Sequence, residues 1–205
     1  MKAAHESSLR DRGIEAVMIG GSAGVLDVLR VVLGGLPATL RIPVVIVIHM
    51  PPRGPATVHH SLQSASSLPM QLADDKEPLR GGNIYFASPG YHLLIEADRS
   101  AAQSLDEPVY FSRPSIDVLF ESASDAYERS VLAILLTGAS PDGAQGLRRV
   151  HDRGGVTVVQ DPSTCEVDIM PQAALGLFQP DFVLGPAQIA SLLSTLDSRE
   201  REMQS

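Results

Sequence analysis

Four short apolar runs rich in β-branched residues recur along the chain: AVMIGG (16–21), IPVVIVIHM (42–50), VLAILLTG (131–138) and GVTVVQ (155–160). The second is apolar at nearly every position from Ile42 to Ile48, as befits a strand buried on both faces. After the first, Val25, Leu29 and Val32, with Leu26 and Leu33 alongside, repeat at helical spacing. Further helices are expected over 55–66, 115–129, 142–153, 171–178 and 186–199. Strands alternating with helices in this way build a mainly parallel sheet covered on both faces, an α/β fold. The middle of the chain breaks the rhythm. GGNIYFASPGYHLLIEADRSAAQSL (81–105) has short alternating runs split by Ser-Pro-Gly and Asp-Arg-Ser, which predicts an inserted β-hairpin or meander.

A chain of 205 residues suffices for one well-buried domain, expected over 16–198 with flexible tails at 1–15 and 199–205. The net charge of −8 argues against nucleic acid as a partner, because phosphate contacts need a basic face. No apolar run reaches the roughly 18 residues of a membrane span, so no membrane insertion is expected. The polar start MKAAHESSLRDRGIE lacks the apolar core of a signal peptide. One cysteine, Cys165, excludes an internal disulfide framework and a multi-cysteine metal site. The expectation is an acidic cytoplasmic domain without metal or cofactor.

In open parallel sheets, ligands bind outside the carboxyl ends of the strands. There the first run ends at Gly21-Ser22, the second at His49, and the third leads into TGASPDGAQG with Thr137, Ser140 and Asp142. A serine, a histidine and an aspartate at three strand ends are the set that acyl transfer uses: a hydroxyl, its base, and a carboxylate that fixes the base. Each also has a plainer role. Ser22 fits a helix cap as well as the nucleophile-elbow spacing Gly20-x-Ser22-x-Gly24, Asp142 fits an N-cap, and His49 fits a strand end. A phosphate loop is disfavoured, because no Lys-Ser/Thr follows the glycines.

Seven stretches carry a family resemblance: IGGSAG (19–24), PVVIVIHMPP (43–52), FASPGYH (86–92), RPSIDVLFES (113–122), LLTGASPDGAQGL (135–147), GGVTVVQDPSTC (154–165) and MPQAALGL (170–177). In order along nearly the whole chain, they resemble the catalytic domain of the chemotaxis receptor methylesterases of the CheB type. The resemblance implies a three-layer α/β/α sandwich. It also implies hydrolysis of glutamate γ-methyl esters on the methylated helical cytoplasmic region of a chemoreceptor-like protein, with deamidation of receptor glutamines in many members. By motif position Ser22 would be the nucleophile, His49 the base and Asp142 its orienting carboxylate. The backbone N–H groups of Ala23 and Ala139 would be the oxyanion donors, and Arg113 is a candidate substrate contact. The alternatives are a same-fold esterase or amidase with another substrate, and a non-catalytic adaptor.

The chain departs from the family pattern beside the nucleophile. The usual Thr-Gly-Gly after the serine is Ala23-Gly24-Val25, and the usual Thr-Gly-Met-Gly-x-Asp-Gly is Thr137-Gly138-Ala139-Ser140-Pro141-Asp142-Gly143. Asp168 precedes Ile169-Met170-Pro171 where an aromatic residue is common. Only about 15 residues precede the first strand, far below domain size, so a stand-alone or excised domain and a regulator acting in trans are expected in place of an attached receiver. Ser115 is expected to cap the 115–129 helix, His92 to be structural, and His59-His60 to lie on a solvated face.

Overall fold

The computed structural model describes residues 12–49 and 57–196. The nine strands among the described residues are β1 (Ala16–Gly21), β2 (Val44–Ile48), β3 (Met70–Leu72), β4 (Ile84–Phe86), β5 (His92–Ile95), β6 (Ala101–Ser104), β7 (Val131–Leu135), β8 (Val156–Gln160) and β9 (Phe182–Leu184). Seven form one sheet in the order β3-β4-β2-β1-β7-β8-β9, with every neighbouring pair parallel. β5 and β6 form a separate antiparallel hairpin. The expected insertion is therefore a hairpin over 92–104, whereas Ile84–Phe86 belongs to the main sheet. The edge strands β3 and β9 have three residues each, too short to stand out as apolar runs.

The pleat of β1 divides the core in two. Val17 and Ile19 join one apolar cluster, while Ala16 and Met18 join the other, because successive side chains point to opposite faces. The first cluster is closed by α1 (Val25–Leu33), α2 (Val58–Leu62) and α6 (Pro186–Leu193). The second is closed by α3 (Ile116–Tyr127), α4 (Ala144–Asp152), α5 (Ile169–Leu175) and the hairpin. This is a three-layer α/β/α sandwich. The helices fall where the spacing puts them but end sooner, α6 at Leu193 and α4 at Asp152.

Two expectations change at the margins. Of the expected N-terminal tail, residues 1–11 lie outside the described residues, but Ile14 is buried and Glu15 N–H donates to Ser130 O at 2.7 Å. The expected tail at 199–205 lies outside the described residues. His59 is not on a solvated face; it is buried, with its ring 6.2 Å from that of Phe86, and only His60 is exposed.

From β1 the chain fills one side of the sheet first (β2, then β3 at the edge and β4 inside it) and then the other side (β7, β8, β9). The carboxyl ends of β1 and its two neighbours, β2 and β7, therefore flank the point where the order reverses, the usual ligand crevice of an open sheet. Ser22, His49 and the 137–142 loop all emerge there.

Candidate active site

Ser22 stands one residue beyond β1, where its N–H donates to Thr137 O at 2.9 Å and its carbonyl accepts from Val25 N–H at 3.1 Å. The turn into α1 needs Gly24, whose φ of 76° lies in the left-handed region that favours glycine. Behind the turn, Thr137 is fully buried. Its hydroxyl lies 3.0 Å from Ala23 O and 2.9 Å from Val167 O as donor, and it accepts from Val167 N–H at 3.1 Å. Gly138 permits the closest approach: a Cβ there would stand 2.9 Å from Ser22 Cβ and 2.7 Å from Met170 Cε. The 22–24, 137–139 and 165–170 segments are thus interlocked around the serine. Among the described residues, neither Ala23 N–H nor Ala139 N–H donates to any protein acceptor. Both remain available to an oxygen brought in by a ligand.

His49 follows β2 and is held next to Ser22 by the sheet register, in which Gly21 faces Ile48 and His49 N–H donates to Gly21 O at 3.1 Å. Ser22, His49, Gly24, Val25 and Val58 line one cleft. His49 Nε2 donates to Asp142 Oδ2 at 2.6 Å. Its other nitrogen, Nδ1, accepts from Ser112 Oγ at 3.4 Å, and no hydrogen bond joins it to Ser22 among the described residues. The expected serine–histidine bond is therefore not made in the free protein. Contacts of this kind commonly tighten only when substrate is bound.

Asp142 is fully buried, and four donors converge on its carboxylate. Oδ1 accepts from Ser115 Oγ at 2.8 Å and Asp117 N–H at 3.1 Å; Oδ2 accepts from Ile116 N–H at 2.7 Å and from His49. Ile116 and Asp117 open α3, so the carboxylate sits on the positive end of that helix and satisfies N–H groups that have no partner within it. Burial pushes the Asp142 carboxyl up, but the bonds from His49, Ile116, Ser115 and Asp117 outweigh it and hold the group below its ordinary value. An ionised carboxylate on the imidazole is the result.

The capping is reciprocal. Asp117, in the first turn of α3, accepts from Gly143 N–H at 2.9 Å and Gly146 N–H at 2.7 Å, and so caps α4 just after Asp142. Burial, with the charges of Asp142 and Glu121 adding to it, raises the Asp117 carboxyl to about 7 against those two N–H bonds. The folded protein thus keeps a proton that the unfolded chain releases above its ordinary value of 3.8. This contribution to stability is full below 3.8 and is lost as the pH rises through about 7. Asp117→Asn keeps the acceptor and abolishes the titration. Relative to the parent, the variant's unfolding free energy should rise between pH 4 and pH 8 by on the order of 1–3 kcal/mol. Denaturant titrations at both pH values measure it, and a constant difference would show that Asp117 carries no such proton.

His92 is buried, with Nδ1 accepting from Ser115 N–H at 3.1 Å and Nε2 donating to Glu107 O at 3.2 Å; it braces the α3 entrance. Ser115 caps α3 through Val118 N–H at 3.3 Å. Arg113 Nη1 is engaged by the carbonyls of Leu105 at 2.8 Å and Asp106 at 3.0 Å, so this candidate substrate contact fastens the loop before α3. Ser140 supplies its hydroxyl to Asp142 N–H at 3.2 Å, which ties down the loop containing Pro141. Sequence reading missed Asp117 and Ser112. An acidic residue in a first helical turn was the only signal for the former, and nothing in the sequence pointed to the latter. The half-buried Cys165 has its thiol pushed up to about 11 by burial and by Asp168 and Asp161, the opposite of a reactive thiolate. No His, Cys, Asp or Glu cluster able to hold a metal ion occurs among the described residues.

The sequence profile described as CheB methylesterase matches residues 17–193. The chain belongs to the CheB methylesterase family. A Leptospira interrogans relative is 43% identical over 190 residues, covering 93% of this chain and 98% of its own length. Its name is a provisional form of protein-glutamate methylesterase/protein-glutamine glutaminase. A Pseudomonas aeruginosa protein-glutamate methylesterase/protein-glutamine glutaminase is 37% identical over 178 residues, covering 87% of this chain but 53% of the relative. The catalytic domain of the Thermotoga maritima CheB methylesterase superposes with a TM-score of 0.85 at 30% identity, covering 89% of this chain and 98% of that domain. Among the described residues, no helix is long and apolar enough to cross a membrane.

Proposed function

We propose that this chain hydrolyses glutamate γ-methyl esters on the methylated helical region of a chemoreceptor-like protein in the cytoplasm, with Ser22, His49 and Asp142 as its catalytic residues. The observation that carries this reading is the four-donor cradle that presents the Asp142 carboxylate to His49 beside Ser22. Ser22 Oγ attacks the ester carbonyl while His49 Nδ1 takes its proton. Asp142, bonded to Nε2, fixes the tautomer and stabilises the imidazolium. The tetrahedral oxyanion is met by the N–H groups of Ala23 and Ala139. These are fixed in place by Thr137 and Gly138, so little reorganisation is needed as charge develops. His49 returns the proton to the departing methoxide, methanol leaves, and water cleaves the acyl-enzyme to free the glutamate. A glutamine amide entering the same path would release ammonia.

Methanol release from a receptor carrying labelled methyl esters tests the proposal. A parent that releases none, and whose Ser22 resists a serine-directed phosphonate, would favour the adaptor. A parent that takes the phosphonate and cleaves only other esters would favour a same-fold esterase. Ala139→Met with Ala23→Thr should alter receptor turnover by an amount worth about 1–3 kcal/mol without creating or abolishing it, since any non-proline residue keeps the N–H donors. Turnover of receptor and of a small generic ester, measured for each variant, checks this.

A further inference from the structure

Residues 109–112 form a two-residue hairpin turn. Val109 N–H donates to Ser112 O at 3.1 Å, and Ser112 N–H donates to Val109 O at 2.8 Å. Its two central residues, Tyr110 and Phe111, have φ of 46° and 63°. Positive φ at both central positions is the geometry that Asn-Gly and Gly-Gly ordinarily supply, because a Cβ is strained there. This chain places two aromatic residues in it.

Neither ring repays the strain by packing inside the fold. Phe111 is 103% exposed and Tyr110 49%, and Leu105, at the start of the same excursion, is 63% exposed. The excursion itself is firmly braced. Arg113 holds the carbonyls of Leu105 and Asp106, His92 holds that of Glu107, and Asp106 N–H donates to Ser104 Oγ at 2.9 Å. Its last residue before Arg113 is Ser112, whose hydroxyl is 3.4 Å from His49 Nδ1. Adjacent Cα atoms are 3.8 Å apart, so the Phe111 backbone lies within about 10 Å of the reacting nitrogen. That is about the diameter of one α-helix, so a polypeptide that delivers an ester to Ser22 and His49 reaches this turn.

We infer that the Tyr110–Phe111 turn is a specificity element that seats against apolar side chains flanking the esterified glutamate of the substrate protein. This rests on the hydrolase reading above. Strain concentrates where a geometry is maintained for function, and rigid exposed aromatics are strong anchors at protein interfaces. The rings carry no charge on a chain of net charge −8, which suits an apolar neighbour. A small ester brings no flanking polypeptide side chains to the turn.

Tyr110→Asn/Phe111→Gly tests the assignment, because that pair is native to this turn type and preserves it. The thermal midpoint should rise by roughly 4 °C or more as the strain is released. kcat/KM on a receptor carrying labelled methyl esters should fall about 10- to 100-fold, mainly through KM. Turnover of p-nitrophenyl acetate should stay within about twofold, which also reports that the variant is folded. The single variant Phe111→Asn should show the same split at smaller size. Unchanged receptor turnover in an otherwise active protein would overturn this inference alone, as would equal losses on both substrates. A parent inert on both substrates would overturn the hydrolase reading and this inference with it.

Discussion

Ser22→Ala should remove ester hydrolysis, lowering kcat by on the order of 10⁴-fold or more while the protein stays folded. Ser22 Oγ makes no hydrogen bond to another described residue, so the fold does not depend on it. The backbone bonds that shape the turn, from Ser22 N–H to Thr137 O and from Val25 N–H to Ser22 O, survive the substitution. Alanine also leaves Gly138 its close approach, since the contact there is with Ser22 Cβ. Only the hydroxyl proposed as nucleophile is lost. Residual turnover should reflect the proposed oxyanion donors of Ala23 and Ala139 and substrate positioning alone. Single-turnover kinetics with circular dichroism as the folding control measure it. A folded variant at parental speed would exclude Ser22 as nucleophile and direct attention to Ser112, the hydroxyl that His49 Nδ1 faces in the free protein.

Asp142→Asn should cost about 10⁴-fold in kcat and destabilise the fold as well. Each carboxylate oxygen takes two donors, so an amide cannot serve all four. If its oxygen stays with Ser115 and Asp117, its NH₂ confronts His49 Nε2 and Ile116 N–H. The imidazole must then carry its proton on Nδ1, the nitrogen proposed as the base. Ile116 N–H, buried at the start of α3, is left without an acceptor, a loss of about 1–3 kcal/mol. At this chain length that lowers the thermal midpoint by roughly 2–4 °C per kcal/mol. The pH dependence separates the two effects. The Asp142 carboxyl is held below its ordinary value of 3.8, so the stability it confers is present above 3.8 and is lost as the pH falls through the folded value. The deficit of the variant should therefore shrink in acid. Melting curves at pH 7 and pH 3 measure it, and a deficit independent of pH would show that the carboxylate's charge contributes nothing to folding.

Hydrophobic patterning decided the layers and the list of strand ends. Continuous apolar runs this short, rich in β-branched residues, fit central strands, and the helical period of the following segments fits helices that cover them. Ser22, His49 and Asp142 were legible for that reason: parallel strands deliver their carboxyl ends to one edge, and few polar residues stand there. The limits of β3 and β9 were not legible, since three residues carry no period. Nor was the burial of His59 on α2, whose ring lies 6.2 Å from that of Phe86 on β4.

What the tertiary structure alone decided is the electrostatics of the site. Asp142 looked like a cap for its own helix, α4. In the fold it caps α3, and Asp117 of α3 caps α4 in return. Propensity and spacing report which side chains suit a helix start, but an N-terminus accepts any carboxylate that packing brings to it. Ser112 at His49 and Arg113 on the 105–106 carbonyls follow the same logic, being contacts between segments that share no period. The aromatic turn at Tyr110–Phe111 is the clearest case: local preference points away from it, and bracing by Arg113, His92 and Ser112 supports that backbone. Sequence thus determined which groups reach the crevice, because burial and period are local properties of a strand or helix. Tertiary packing determined how each group is charged, held and aimed, because those depend on the donors that distant segments bring to it.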